Sequence, residues 1–380
     1  NFVGKTAFAA INLIMPLLMG LSALGFMIGT GGSAIVSKAL GEGKRELANQ
    51  YFSMLVYVSV LGGIILAVSG MFLLRPIAIL LGATGELVEL CVLYGRILLV
   101  SLTAFLLQNV FQSFFVTAEK PQLGLKVTVA AGLANIVLDY LFIAVFHWGI
   151  TGAAVATAIS EFIGGLFPIF YFSRRNESLL RLVKARLDIR ALGRACANGS
   201  SELMTNLSLS VVNSLYNLQL ISIAGENGVA AYGTIMYVNF IFIAIFLGYS
   251  IGSAPIIGYH YGAGNQGELK NLLRMSLSMV GVCGVVLMLL AEVLAAPLAD
   301  IFVGYDSALA SMTCHGFRLY AVSFLINGFN IFGSAFFTAL SNGIVSATIS
   351  FLRTLVFQVA VVLTLPLVLG IDGIWLAVAV

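Results

Sequence analysis

"GRILLVSLTAFLLQNVFQSFFVTA" (residues 95–118) returns 221 residues later as "GFRLYAVSFLINGFNIFGSAFFTA" (316–339). Without a gap, Gly95, Asn109, Phe111, Ser113, Phe115, Thr117 and Ala118 coincide with Gly316, Asn330, Phe332, Ser334, Phe336, Thr338 and Ala339. The same offset aligns "GTGGSAIVSKALGEG" (29–43) with "SIGSAPIIGYHYGAG" (250–264), and "GITG" (149–152) with "GIDG" (370–373). One offset kept across three separate stretches marks a duplicated structural unit.

The medium of that unit follows from composition. Of 380 residues, 60% are hydrophobic and 9% are charged, against about 25% charged in a soluble domain. Long uncharged runs set the spans. They predict eleven helices near 6–37, 48–74, 87–118, 123–146, 150–172, 189–222, 228–260, 268–296, 307–340, 344–368 and 372 to the end. Forty glycines fit close helix packing in lipid. Cys91, Cys196, Cys283 and Cys314 have neither metal-ligand nor disulfide-framework spacing.

Charge gives the orientation. Fifteen of the nineteen Lys and Arg fall in alternate connections, at 38–45, 120–126, 174–194, 270–274 and 353. The opposite connections carry Glu86, Glu89, Glu226, Asp300, Asp306 and Asp372. The basic side is expected to face the cytoplasm of a plasma (inner) membrane. The basic stretch around 173–188 reads as a linker between an N-terminal bundle, 1–172, and a C-terminal bundle, 189–380. The offset pairs Asn1 with Ser222, and in the second half a whole helix precedes that point. It pairs Val380 with Ile159, whose helix runs on. The expectation is therefore an all-α polytopic membrane protein of two pseudo-symmetric six-helix bundles, twelve helices in full and about eleven here. Both halves should insert the same way, with a substrate path between them.

Four carboxylates interrupt the spans: Asp139, Glu161, Glu202 and Glu292. An acid at membrane depth costs roughly 2.5–3.5 kcal/mol on the insertion scale and marks a functional candidate. Asp139 has Asn135 one turn before it on the same helix face. About the turn at Trp148, Thr157 lies at the depth of Asp139 if both helices are regular. A carboxylate, an amide and a hydroxyl on one hairpin suit a small hard cation or an exchangeable proton. They also suit a structural hydrogen-bond cluster. Their partners in the second half, Val356, Ala360 and Val378, carry no copy, so the fold does not require one. Glu202 lies in the polar helix "NGSSELMTNLSLSVVNSLYN" (198–217), Glu161 one turn past Thr157, and Glu292 near the outer end of its helix.

The stretches "GTGGSAIVSKALGEGK", "AEKPQLGLKVTVAAGLANIVLDYLFI", "GITGAAVATAIS" and "GYHYGAGN" together resemble the MATE (multidrug and toxic compound extrusion) transporters, over essentially the whole chain. The resemblance implies two six-helix bundles and export of amphipathic, often cationic compounds in exchange for Na⁺ or H⁺. In the DinF-like branch, which looks closest, the coupling site uses an Asn and an Asp four residues apart and a Thr on the next helix. Those positions correspond to Asn135, Asp139 and Thr157. A further Asp belongs to the helix that would precede Asn1. Another branch uses an acid on the seventh helix, where Glu202 stands.

The expected partners are the bilayer, small amphipathic molecules and a monovalent cation or proton, with no nucleic acid and no cofactor. A lipid-linked oligosaccharide flippase of similar fold would need Lys or Arg in its cavity, and only Arg96 and Arg318 come near. An integral-membrane enzyme would need a catalytic or metal constellation. His147, His260 and His315 fall near helix ends without such spacing. Nothing suggests the filter of a channel.

Overall fold

The computed structural model describes residues 5–379. All regular structure among them is helical. The elements are α1 (Lys5–Gly41), α2 (Arg45–Leu80), α3 (Glu86–Thr117), α4 (Pro121–Asp139), α5 (Gly149–Ser173), α6 (Ile189–Gly262) and α7 (Gln266–Val303). They continue as α8 (Ser307–Ala321), α9 (Phe324–Ala339), α10 (Gly343–Phe351), α11 (Gln358–Thr364), α12 (Pro366–Leu369) and α13 (Ile371–Leu376). Among the described residues, eight helical runs are long and apolar enough to cross a bilayer, with Pro121–Val145 and Gly343–Leu369 each taken as one run, or nine counting α8 with α9. The 74 residues of α6 break at Gly225, and each part is long enough to cross once. The chain divides into two compact units, Asn1–Leu203 and Met204–Val380.

The repeat is visible as repeated packing. Phe111, Ser113, Phe115 and Thr117 are buried, and so are Phe332, Ser334, Phe336 and Thr338. Thr117 Oγ1 donates to the Ser113 carbonyl at 3.0 Å, and Thr338 Oγ1 to the Ser334 carbonyl at 3.1 Å. The two GxxG turns also match. Gly149 and Gly370 take φ of 56° and 60°, in the left-handed region that glycine enters without steric cost. Three residues on, a Cβ on Gly152 would stand 3.0 Å from Phe142, and one on Gly373 2.6 Å from the Leu365 backbone. Each motif turns the chain and then lets the next helix close on the last.

Three helices differ from the hydropathy reading, and two others keep their expected break. The two expected at 189–222 and 228–260 are both present, lying end to end in α6 and parted at Gly225, whose φ of 63° and ψ of −151° are not helical. The single helix expected at 307–340 is α8 and α9, bent by 50°. There the i→i−4 ladder gives way to tighter bonds, Ser323 N to the Tyr320 carbonyl and Leu325 N to the Val322 carbonyl. The helix expected at 344–368 is interrupted by a π-helical turn, Leu352–Phe357. The helix expected at 123–146 stays α-helical only to Asp139 and continues as a π-helix, Tyr140–Val145.

In the first unit a ring cluster, Phe52, Phe111, Phe114 and Phe172, ties α2, α3 and α5 together at the basic-loop end, with centroids 4.9–6.3 Å apart. The linker lies along α2 as an extended strap. Arg181 N donates to Asn49 Oδ1 at 2.8 Å and Val183 N to Ser53 Oγ at 2.8 Å, while the Val183 carbonyl accepts from Tyr57 Oη at 3.1 Å. Asn49, Ser53 and Tyr57 recur every fourth residue, one face of α2. Leu180 is buried beside them. Ser53→Ala leaves the Val183 amide without its acceptor, a loss of about 1–3 kcal/mol at the strap. Faster trypsin cleavage at Arg181 and Lys184 is the expected result, and an unchanged cleavage rate would contradict the strap.

Candidate cation-coupling site

Pro121 starts α4 at a position that needs no intrahelical donor. The helix then carries Asn135 and Asp139 on one face, both half-buried. Asn135 Nδ2 and Asp139 Oδ1 are buried atoms with no hydrogen-bond partner. Unsatisfied buried polar atoms are rare in native interiors, and here two lie one turn apart. The π-helix starts at the residue after Asp139, and such turns recur at functional sites. Its wider bonds include Phe146 N to the Leu141 carbonyl and Trp148 N to the Phe142 carbonyl, both at 2.8 Å. Phe142 and Trp148 stack over the turn at 4.9 Å.

Thr157 is half-buried on α5, which packs on α4. No hydrogen bond joins it to Asn135 or Asp139 among the described residues. Glu161 follows one turn deeper, 9% exposed, with Oε2 unpartnered.

Two groups that sequence reasoning missed come from α3. Tyr94, 2% exposed, lies within electrostatic reach of both Glu161 and Asp139. Ser101, two turns along the same face, is fully buried and faces Glu161. The α3–α5 approach that brings them there is set one turn further in. A Cβ on Gly165 would stand 2.2 Å from the Ala104 carbonyl oxygen. The signal available in sequence was a polar pair at i and i+7 in an apolar helix.

The other carboxylates behave differently. Glu202 lies half-buried on α6 and is engaged by a neighbouring group. Its helix reaches α1 through reciprocal glycines. A Cβ on Gly31 would lie 1.9 Å from the Ala195 carbonyl oxygen, and one on Gly199 1.9 Å from that of Met27. Glu292 pairs with Arg318 at 3.6 Å, and His315 Nε2 lies 2.9 Å from Asp372 Oδ1; all four are partly or well exposed. No group of three His, Cys, Asp or Glu side chains suited to a metal occurs among the described residues.

Comparison with known proteins agrees with this architecture. The MatE family model matches residues 1–141 and 203–364, one stretch in each half of the repeat. The multidrug export protein MepA of Staphylococcus haemolyticus is 27% identical over 367 residues, covering 96% of this chain and 80% of that protein. MepA of Staphylococcus saprophyticus is 25% identical, covering 98% and 82%. Among solved structures, MATE in complex with MaL6 superposes with a TM-score of 0.93 at 24% identity, covering 99% of this chain and 85% of that one. An outward-facing multidrug resistance MATE transporter of the MOP superfamily gives 0.94 at 23%, with the same coverage. The chain belongs to the MatE family and is a polytopic membrane transporter of the MATE type, not an enzyme.

Proposed function

We propose that the protein is an antiporter that exports amphipathic, often cationic compounds in exchange for H⁺ or Na⁺. Asp139 is the coupling group, and Asn135 and Thr157 are its neutral ligands, as in the DinF-like branch. The observation that carries this reading is the pair of unpartnered buried atoms, Asn135 Nδ2 and Asp139 Oδ1, one turn apart. An ionised Asp139 bears a desolvation cost that a bound proton or cation removes. If that cost, roughly 2.5–3.5 kcal/mol, differs between two conformations, occupancy shifts their ratio about a hundredfold. The π-turn beside Asp139 is where α4 has a second hydrogen-bonding register available. Glu202 attracts cationic substrate from the polar helix of the second half. The basic loops face the cytoplasm of the inner membrane, and 173–188 links the 1–172 and 189–380 bundles. Related MepA proteins are named multidrug export proteins, which supports the substrate class.

The test is ethidium efflux from proteoliposomes carrying the full-length protein, under an imposed pH gradient and then a Na⁺ gradient. Efflux driven by one gradient names the coupling ion. Ethidium movement equal to that of protein-free vesicles under both would defeat the reading.

A further inference from the structure

The strap that follows α5 is held at a fixed height on α2. Arg181 N is bonded at Asn49, Val183 at Ser53 and Tyr57, and Asp188 N lies 3.2 Å from Met54 Sδ. From Tyr57 onward one face of α2 carries Leu61, Ile64, Ile65, Val68 and Phe72, all exposed. Their spacing is helical, and Phe52, Leu55, Ser59, Gly63 and Ala67 on the opposite face are buried. In a membrane helix the exposed apolar stripe is the face that meets acyl chains. Met54 belongs to that stripe by its spacing, one turn before Tyr57 and two before Leu61. Yet it is 2% exposed, with the Asp188 amide of the strap on its sulfur. The lipid-facing stripe of α2 therefore ends where the strap begins.

That height is the surface of a bilayer. Arg75, paired with Glu89 at the acidic-loop end, lies eighteen residues beyond Tyr57 on α2. The separation is roughly 27 Å at 1.5 Å per residue, against a hydrocarbon core of about 30 Å. Tyr57, half exposed and bonded through its hydroxyl to the strap, stands where interfacial aromatic residues stand. The strap at this level is basic, with Arg181, Lys184, Arg186 and Arg190 against one acid, Asp188. The four basic side chains are exposed, and none enters an ion pair among the described residues. Asp188 Oδ1 accepts from the Arg190 and Ala191 amides at 3.0 Å and so caps the start of α6. Leu187 and Ile189, between the basic residues, are 63% and 74% exposed. Cations without partners beside bare apolar side chains match the boundary between headgroups and acyl chains. The positive-inside tendency asks only for basic residues in a loop. It does not ask that three side chains of α2 pin the loop at one depth.

We propose that the strap is a binding site for anionic phospholipid. Lys184 and Arg186 take the phosphate headgroup, Arg181 and Arg190 add to the field on either side, and the acyl chains lie on the α2 stripe from Leu61. Charge selects the occupant. A zwitterionic headgroup brings no net charge to the four cations, whereas an anionic lipid brings one, and each Lys or Arg near such a surface adds to the attraction. Continuity selects it too, because the stripe below Tyr57 already needs acyl chains and the strap stands directly over it. Bound lipid would fasten the segment between the two halves of the repeat to the membrane surface. The site depends on neither the coupling ion nor Asp139.

The experiment places an indole on the strap by Leu187→Trp in the full-length protein. The protein is reconstituted in phosphatidylcholine vesicles in which a rising share of lipid is dibrominated phosphatidylglycerol or dibrominated phosphatidylcholine. Quenching of the parent protein is subtracted, which removes Trp148 and Trp375. The expected result is quenching by both lipids, with phosphatidylglycerol preferred at least about threefold. Adding Lys184→Gln and Arg186→Gln should bring the two lipids to equality, while Lys184→Arg with Arg186→Lys should keep the preference. Equal quenching before any charge is removed overturns the proposal, and so does a preference that survives the two glutamines. Quenching by neither lipid overturns it as well, because the strap would then lie outside the bilayer. If the glutamine variant does not fold, salt decides on the Leu187→Trp protein alone. Raising salt from 0.1 M to about 1 M shortens the screening length from about 10 Å to about 3 Å. The preference should fall at least about twofold, and a preference unmoved by salt removes the site.

Discussion

Asp139→Asn is expected to reduce gradient-driven efflux at least tenfold while leaving the protein folded and able to bind ethidium. The substitution is nearly isosteric, so packing against α5 is kept. It replaces a group that can be neutral or charged with one that is always neutral. The variant is held in the state that a bound proton would create, and the gradient has nothing left to act on. The same logic predicts a loss of linkage. Under the proposed coupling, drug and cation affect each other's affinity in the wild type through the two conformations, and that effect is reciprocal. In the variant, ethidium affinity becomes independent of the coupling cation. Efflux at wild-type rate would sink this account whatever the stability of the variant.

The second large effect is on stability. Gly31→Val on α1 is expected to destabilise the protein by about 3 kcal/mol, the upper end of overpacking costs. Its Cβ would stand 1.9 Å from the Ala195 carbonyl oxygen and 2.5 Å from the Gly199 amide nitrogen. Those are backbone atoms of a helix and cannot swing aside as a side chain can. The clash is relieved only by separating α1 from the first turns of α6, which also uncovers Met27 and Gly199. Gly132→Ala on α4 is the control. Nothing lies within 4 Å of its Cβ, and alanine favours a helix over glycine by about 1 kcal/mol. Thermal melts in detergent should show a Tm lower by several degrees for Gly31→Val and unchanged or higher for Gly132→Ala. Equal melting of Gly31→Val and wild type would mean that α1 and α6 do not meet as described.

Much of this was legible in the sequence because its signals are local or periodic. The offset that aligns Phe111 with Phe332 reports a packing layer used twice, and the buried partners in both halves show why those residues recur. Spans followed from hydropathy, and the GxxG turns from glycines that must take positive φ or admit a neighbouring helix. Asn135 and Asp139 could be read as a pair because helix geometry puts i and i+4 side by side. Tyr94 and Ser101 could not be assigned the same way. Their relation to Glu161 depends on how α3 approaches α5, a tertiary fact fixed at Ala104 and Gly165. The π-turn after Asp139 has no residue signature, and "YLFIAV" reads as ordinary apolar helix. The bend between α8 and α9 is equally silent, because its repeat partner in α3 is unbroken. The reciprocal glycines Gly31 and Gly199 lie 168 residues apart, and neither announces the other.

The account turns on one linkage, between a cation at Asp139 and drug held elsewhere in the protein. The most direct test is equilibrium binding of ethidium to purified full-length protein across a pH series, repeated across a Na⁺ series. Wild type and Asp139→Asn are compared in each. The account predicts wild-type affinity that weakens as one of the two cations is raised, with a flat response in Asp139→Asn. Parallel curves for the two proteins in both series would contradict it, because the carboxylate would then carry no part of the coupling.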